Sequence, residues 1–171
     1  MNKNLRLIIL TILGVGILYF GSGVVKKLYY TANSENLIQQ LPDLELTALD
    51  GTKVNLERLS SEKNQLLIYY SSECSHCVDE IRSLKKDRQV IPDVDIYLIS
   101  IEDPRVTKKF IAKMGLNPED ELNFLSDTKW EFPVMYDIKA TPSMFFYNKE
   151  HQLVSTHVGT MPAEVIKARF E

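Results

Sequence analysis

Residues 65–77 read QLLIYYSSECSHC, an apolar run followed closely by a pair of cysteines. The run LLIYY, residues 66–70, is continuous and bounded by polar residues, which is typical of a strand buried on both faces of a sheet. From Cys74 to about Gln89, apolar residues recur at intervals of three and four and basic residues lie near the end, a pattern that predicts a helix. The cysteines therefore lie where a buried strand is followed by a helix.

Reactive side chains are concentrated in Cys74-Ser75-His76-Cys77, which contains both cysteines of the chain. The N-terminus of a helix favours a thiolate, because its N–H groups are unpaired and its dipole is positive there. Cys74 is thus predicted to be the activated thiol, with a pKa below the usual value of about 8.5, and a protonated His76 would lower that pKa further. Cys77 faces Cys74 from one turn further on, so it is placed to attack a mixed disulfide formed there and release a reduced partner.

A metal site or a structural disulfide would use the same two cysteines. Structural zinc needs four ligands, and beyond this motif only His151 and His157 remain, far along the chain. A structural bridge over this spacing would close a very small loop and add little stability. Haem attachment requires a histidine directly after the second cysteine, where this chain has Val78. These comparisons favour a redox-active pair and no metal.

Turn and capping signals predict further elements on both sides of the cysteines. An Asp50-Gly51 turn indicates a hairpin within residues 44–56, and Asp103 followed by Pro104 begins a helix that ends at Gly115. The other predicted elements are a strand over residues 95–101, a shorter helix from Asn117-Pro118, strands over residues 143–147 and 153–158, and a last helix from Pro162 to about Phe170. The predicted order is hairpin, strand, helix, strand, helix, strand, strand, helix.

The N-terminus differs from the rest of the chain in composition. Residues 7–25 carry no charge and are flanked by Lys3 and Arg6 before them and by Lys26 and Lys27 after them. At about 1.5 Å per residue this run nearly spans a hydrocarbon core of roughly 30 Å. Its length, the lack of an A-x-A-like cleavage site and the lysine pair favour an uncleaved anchor over a cleaved signal peptide or a buried helix. Each side of the run carries two basic residues, so these residues alone do not set the orientation in the membrane. The N-terminal amine adds a positive charge to the first side and favours a cytoplasmic N-terminus.

The chain is therefore predicted to comprise a membrane anchor over residues 1–27, a tether over residues 28–41 and one domain over residues 42–171, with the domain outside the cytoplasm. Residues 1–27 hold four of the 20 Lys+Arg and none of the 23 Asp+Glu, so the overall charge of −3 becomes −7 for residues 28–171. No basic field is available to attract nucleic acid. The acidic balance favours neutral or basic client segments.

With this order of elements and the C-x-x-C motif, the sequence resembles the thioredoxin superfamily from about Leu41 to Phe170. It resembles in particular the membrane-anchored TlpA/ResA-type thiol-disulfide oxidoreductases, which have an AhpC/TSA-Redoxin-type domain. The resemblance implies an α/β thioredoxin fold, with a central mixed β-sheet flanked by helices, an N-terminal β-hairpin extension and one transmembrane helix. It also implies that Pro142 is a cis-proline facing the cysteines and that Thr141 presents its backbone to the substrate.

The resemblance extends to Glu80, because members of this family often carry a glutamate three residues after the second cysteine. That residue would take and return the proton of the Cys77 thiol. The chain also departs from the family. Glu73 replaces a tryptophan and its charge would oppose a Cys74 thiolate, Ile68 replaces the buried acid of thioredoxins, and Arg82 replaces a helix proline. Since some features match oxidising relatives and others reducing ones, the direction of electron flow is left open.

The resemblance predicts an extracytoplasmic oxidoreductase of protein thiols, acting in cell redox homeostasis or cytochrome c maturation. No cofactor is implied, since the Cys74–Cys77 disulfide holds the electrons, and an integral membrane thiol reductase is a candidate donor. One alternative is a copper-delivery module that uses both cysteines and a histidine such as His157. Another is a peroxiredoxin-like peroxidase, although Leu67 and Ser71 stand where peroxiredoxins have proline and threonine.

Overall fold

The computed structural model describes residues 36–170. The predicted anchor and the first part of the predicted tether lie outside these residues. Among the helices of residues 36–170, none combines the length and the apolar character needed to cross a membrane.

In the described part of the chain, seven strands form one mixed sheet in the order β2-β1-β5-β4-β3-β6-β7. Their bounds are β1 Glu45–Ala48, β2 Lys53–Asn55, β3 Asn64–Tyr69, β4 Val94–Ser100, β5 Leu122–Ser126, β6 Ser143–Tyr147 and β7 Leu153–Val158. Strands β3, β4 and β5 are parallel, while β6 pairs antiparallel with β3, and the β1–β2 hairpin is joined to β5. This architecture confirms the mixed sheet and the N-terminal hairpin predicted from the sequence.

Four α-helices that lie entirely within residues 36–170 accompany the sheet. They are α1 Ser75–Lys86, α2 Pro104–Met114, α3 Glu131–Met135 and α4 Ala163–Ala168. The signals read from the sequence for α2 are confirmed, because Asp103 accepts the Arg105 N–H at 2.8 Å and Gly115 ends the helix with a left-handed φ of 62°.

The apolar run of β3 is buried on both faces, as predicted. Leu66 and Ile68 belong to one core cluster, together with Cys77 and Ile81 of α1. Leu67 and Tyr69 belong to the other cluster, which contains α3. Because side chains alternate along a strand, this single run contributes to both halves of the core. Helix α1 is thereby fixed against the same strand that leads into it.

The structure corrects the sequence prediction at four elements. Strand β5 and helix α3 were not predicted, although β5 lies in the middle of the sheet between β1 and β4. The helix expected from Asn117-Pro118 is a single 3-10 turn, Pro118–Asp120. The last helix begins after Pro162 as predicted but ends at Ala168.

Residues 38–41, the last part of the predicted tether, pack on the domain. Ile38 and Leu41 are buried, and the Leu41 N–H donates to the carbonyl of His151 at 2.9 Å. His151 lies in the turn between β6 and β7. Since Tyr147 at the end of β6 pairs with Gln65 at the start of β3, this contact is at the end of the sheet opposite Cys74.

Candidate active site

The cysteine motif begins where the loop after β3 turns into α1. Cys74 is the N-cap residue, and the helix itself starts at Ser75. The loop is held by Glu102, whose Oε1 accepts the Ser72 N–H at 2.8 Å and the Ser71 hydroxyl at 3.3 Å. Glu102 was not predicted from the sequence as a site residue. The signal available in the sequence was an acidic residue just after β4. The carboxyl ends of parallel strands meet at one edge of the sheet, so this residue is expected near the loop that follows β3.

Cys74 is half-buried and lies among hydrogen-bond donors. Burial opposes its ionisation, but hydrogen bonds from the side chains of Cys77 and Thr141 and from the N–H groups of Cys77 and His76 outweigh burial and lower the pKa of Cys74. The Cys77 N–H donates to the Cys74 sulfur at 3.4 Å. The side chains of His76 and Glu73 are exposed, so His76 contributes through its backbone.

Cys77 has the opposite environment. Its side chain is 0% exposed and packs in the core cluster with Leu66 and Ile81. Burial, followed by its hydrogen bond to Cys74, raises the pKa of Cys77 to about 12. The motif thus contains one thiol that ionises readily and meets solvent, and one that keeps its proton and is covered. This asymmetry suits stepwise disulfide exchange.

Glu80 lies on the buried face of α1 and is 2% exposed, so it is not a solvated surface carboxylate. Its Oε2 accepts the Met161 N–H at 2.8 Å, while its Oε1 has no hydrogen-bond partner. Burial raises the pKa of Glu80 to about 7 against the lowering effect of the Met161 hydrogen bond. A cavity of about 310 Å³, lined by His76, Asp79 and other residues, lies beside it. Glu80 is therefore a carboxyl group that gains and loses a proton near neutral pH.

The loop before β6 completes the site. The Thr141–Pro142 peptide bond is cis, as the resemblance implies. The Cys74 thiol donates to the Thr141 carbonyl at 3.6 Å, so this loop lies directly against the motif. The Pro142 carbonyl accepts the Gly159 N–H at 2.9 Å, which connects the loop to the end of β7.

No group of three or more His, Cys, Asp or Glu side chains that could hold a metal forms within the part of the chain that the structure describes. His157, the histidine of the copper alternative, lies 3.3 Å from the Thr160 carbonyl through its Nε2. Ile68 is buried at the position where thioredoxins carry an acid, which leaves Glu80 as the buried carboxyl group on α1.

A mixed sheet with a C-x-x-C pair at a helix N-terminus, facing a cis-proline loop, defines a thioredoxin-like thiol-disulfide oxidoreductase. Residues 37–156 match the model of the AhpC/TSA family. The chain belongs to that family.

Solved structures of bacterial proteins share this fold. A secreted Mycobacterium tuberculosis disulfide oxidoreductase homologous to E. coli DsbE is 21% identical, with a TM-score of 0.61 over 74% of this chain and 93% of that one. StoA from Bacillus subtilis is 20% identical, with a TM-score of 0.60 over 75% and 96%. A peroxiredoxin-like protein from Aquifex aeolicus is 14% identical, with a TM-score of 0.62 over 78% and 85%. No curated protein sequence matches the chain.

Proposed function

We propose that the protein is a membrane-anchored oxidoreductase that exchanges disulfides with protein thiols outside the cytoplasm through Cys74 and Cys77. The observation that carries the proposal is the opposite environment of the two thiols. The pKa of Cys74 is lowered by the hydrogen bonds that its sulfur accepts, while Cys77 is buried with its pKa raised to about 12. A thiolate is the attacking species in disulfide exchange. The first attack, on the client, is therefore assigned to Cys74, and the second attack, on the mixed disulfide, is assigned to Cys77.

The reaction proceeds in two exchanges. The Cys74 thiolate attacks one sulfur of a client disulfide, forming a mixed disulfide and releasing the other client sulfur as a thiolate. Cys77 then gives its proton to the ionised Glu80 carboxylate and attacks the Cys74 sulfur, which breaks the bond between Cys74 and the client and releases the second client sulfur as a thiolate. The products are a Cys74–Cys77 disulfide and a client in which both sulfurs are reduced. The same steps in reverse oxidise a client dithiol.

Residues 1–27 supply the proposed anchor, with the N-terminus in the cytoplasm. The electrons are held by the cysteines, so the proposed cycle needs no further cofactor. An integral membrane thiol reductase is the proposed donor if the protein works as a reductant. Cell redox homeostasis and cytochrome c maturation are the proposed processes. Fusion of alkaline phosphatase after residue 171 tests the orientation, because the enzyme becomes active only outside the cytoplasm.

A trapping experiment with matched variants tests the exchange itself. The Cys77→Ser variant should accumulate a mixed disulfide with a protein client at Cys74, because the second attack is lost. The Cys74→Ser variant should accumulate none, and the oxidised wild-type protein should show a Cys74–Cys77 bridge by mass spectrometry. Absence of the adduct or of the bridge would overturn the proposal. Rapid peroxide consumption or tight Cu(I) binding without insulin reduction would support the alternatives instead.

The reduction potential of the full chain then decides the direction of electron flow. Reductants and oxidants of this fold differ by more than about 100 mV on the glutathione scale. A potential near that of thioredoxin would assign reduction of clients to the protein, and one near that of DsbA would assign oxidation.

A further inference from the structure

Trp130 is the single tryptophan of the chain, and its side chain is 58% exposed. Every other aromatic residue from 36 to 170 is buried or half-buried. A large indole left in water gives up the free energy of burial that the other aromatic side chains gain. The fold therefore gains less from this side chain than from its other aromatic side chains.

The backbone of Trp130 is also unfavourable for a bulky residue. Its φ of 60° and ψ of 29° lie in the left-handed region that favours glycine. The turn is held in place by Asp127, whose carbonyl accepts the Trp130 N–H at 3.2 Å and whose Oδ2 accepts the Phe132 N–H at 2.7 Å. Phe132 is fully buried, so the segment after Trp130 is fixed as well. Glycine would form this turn without strain, and strain of this kind concentrates at functional positions.

Trp130 lies on the same edge of the sheet as Cys74. The Asp127 N–H donates to the Ser100 carbonyl at 2.8 Å, so the turn follows directly from the end of β5 beside the end of β4. Glu102 comes just after β4, and its carboxylate holds the Ser72 N–H two residues before Cys74. β5 and β3 are separated by one strand, a distance of about 10 Å between their axes.

We propose that Trp130 binds the client polypeptide while the client is joined to Cys74. Its indole contacts an apolar side chain in an unfolded segment of the client. This inference rests on the proposed function. An extended chain advances about 3.3 Å per residue, so about three residues cover the distance between the axes of β3 and β5, and a client segment that extends at least this far from its cysteine can reach the turn after β5. Trp130 would thus select unfolded protein segments over small thiols.

Because the chain has a single tryptophan, its fluorescence reports on Trp130 alone. The full-length Cys77→Ser variant is joined at Cys74 to glutathione, or to a nonapeptide with a central cysteine and leucines three positions to each side. We expect the peptide to shield Trp130, reducing its quenching by iodide to about half, while glutathione leaves quenching as in the free protein. A peptide with serines in place of the leucines should shield it less. Equal quenching in all adducts would overturn the inference.

A second variant separates client binding from a structural role. Trp130→Gly removes the indole and suits the left-handed turn, so the protein should unfold at the same or a higher urea concentration. The ratio of kcat/KM for insulin to that for glutathione disulfide should fall about tenfold, which is about 1.4 kcal/mol. Val154→Ala truncates another exposed side chain, on β7, and should leave this ratio unchanged. An unchanged ratio in Trp130→Gly would overturn the inference, whereas failure of Cys74 to form any mixed disulfide would overturn the proposed function as well.

Discussion

Replacing Glu80 with glutamine should change how the stability of the protein depends on pH. Glutamine keeps an oxygen to accept the Met161 N–H, and it cannot ionise. The wild-type side chain is 2% exposed, so its charged form lacks water and has only that single hydrogen bond. The comparison between the two proteins therefore isolates the cost of a buried negative charge.

The size of the effect follows from the pKa of Glu80, which burial raises from its ordinary value of 4.5 to about 7. A shift of this size corresponds to about 3 kcal/mol of unfolding free energy. Below the unfolded-state pKa, Glu80 is neutral in both states and carries no penalty. As the pH rises from there through the folded-state pKa, the unfolded chain releases a proton that the folded protein still binds, and wild-type stability falls. The full loss of about 3 kcal/mol is reached above about pH 7.

Urea denaturation of the reduced wild-type and Glu80→Gln proteins between about pH 4 and pH 8 measures this difference. As the pH rises across this range, we expect the unfolding free energy of the variant to increase relative to that of the wild type by up to about 3 kcal/mol. A difference in stability that is the same at every pH does not affect this comparison. Glu62→Gln, at an exposed position, should follow the wild-type curve. Parallel curves for the wild type and Glu80→Gln would refute the argument, because they would mean that Glu80 ionises in the folded state as it does in the unfolded chain.

Three further outcomes follow from the site and its surroundings. Brief treatment with iodoacetamide should modify Cys74 and leave Cys77 unmodified until the protein unfolds, as read by peptide mass spectrometry, and equal labelling would contradict the assigned environments. Glu102→Ala should lower the unfolding free energy by about 2 kcal/mol and speed hydrogen exchange at the Ser72 amide, whereas unchanged exchange would show that the loop does not depend on this carboxylate. Gly115→Ala should lower the unfolding free energy by about 1 kcal/mol in urea denaturation, because a φ of 62° disfavours a residue with a Cβ. The cost should be no larger, because an added Cβ would meet no atom within 4 Å. Gly115→Asn should cost less, since asparagine tolerates the left-handed region better than alanine.

The elements that the sequence predicted are those with local signals. The apolar run at residues 66–70 appears as β3, and the capping pair Asp103 and Pro104 starts α2 as expected. A continuous apolar run and a helix cap depend on a few neighbouring residues, so they can be recognised in the sequence without knowledge of the fold. The C-x-x-C motif was interpretable for the same reason, since its chemistry depends on a short spacing at a helix start.

The elements that the sequence did not predict depend on distant partners. Strand β5 carries Leu122, Phe124 and Leu125, too few apolar residues to show a period, and it is fixed by pairing with β4 and with the hairpin. Helix α3 has five residues and contains Pro133, which normally argues against a helix. Proline is tolerated there because the first N–H groups of a helix have no partner within it.

The burial of Glu80 depends both on a local sequence signal and on a distant part of the chain. Its spacing of three from Cys77 and four from Leu84 places it on the apolar face of α1, and this much is visible in the sequence. Its raised pKa also requires the segment around Met161 to cover it, a contact across 81 positions of the chain. The candidate proton acceptor was thus predictable by position, and its pKa only from the fold.

The side chains of the two cysteines are coupled through a hydrogen bond, and this coupling orders the reaction. The bond from the Cys77 side chain favours the Cys74 thiolate, and after burial it is the next cause that raises the pKa of Cys77. When Cys74 enters a mixed disulfide, its sulfur carries no negative charge and accepts this bond only weakly. One cause of the high pKa of Cys77 is therefore removed at the step in which Cys77 must lose its proton. Burial remains as the opposing effect, and Glu80 is the buried carboxyl group one turn away that can accept the proton near neutral pH.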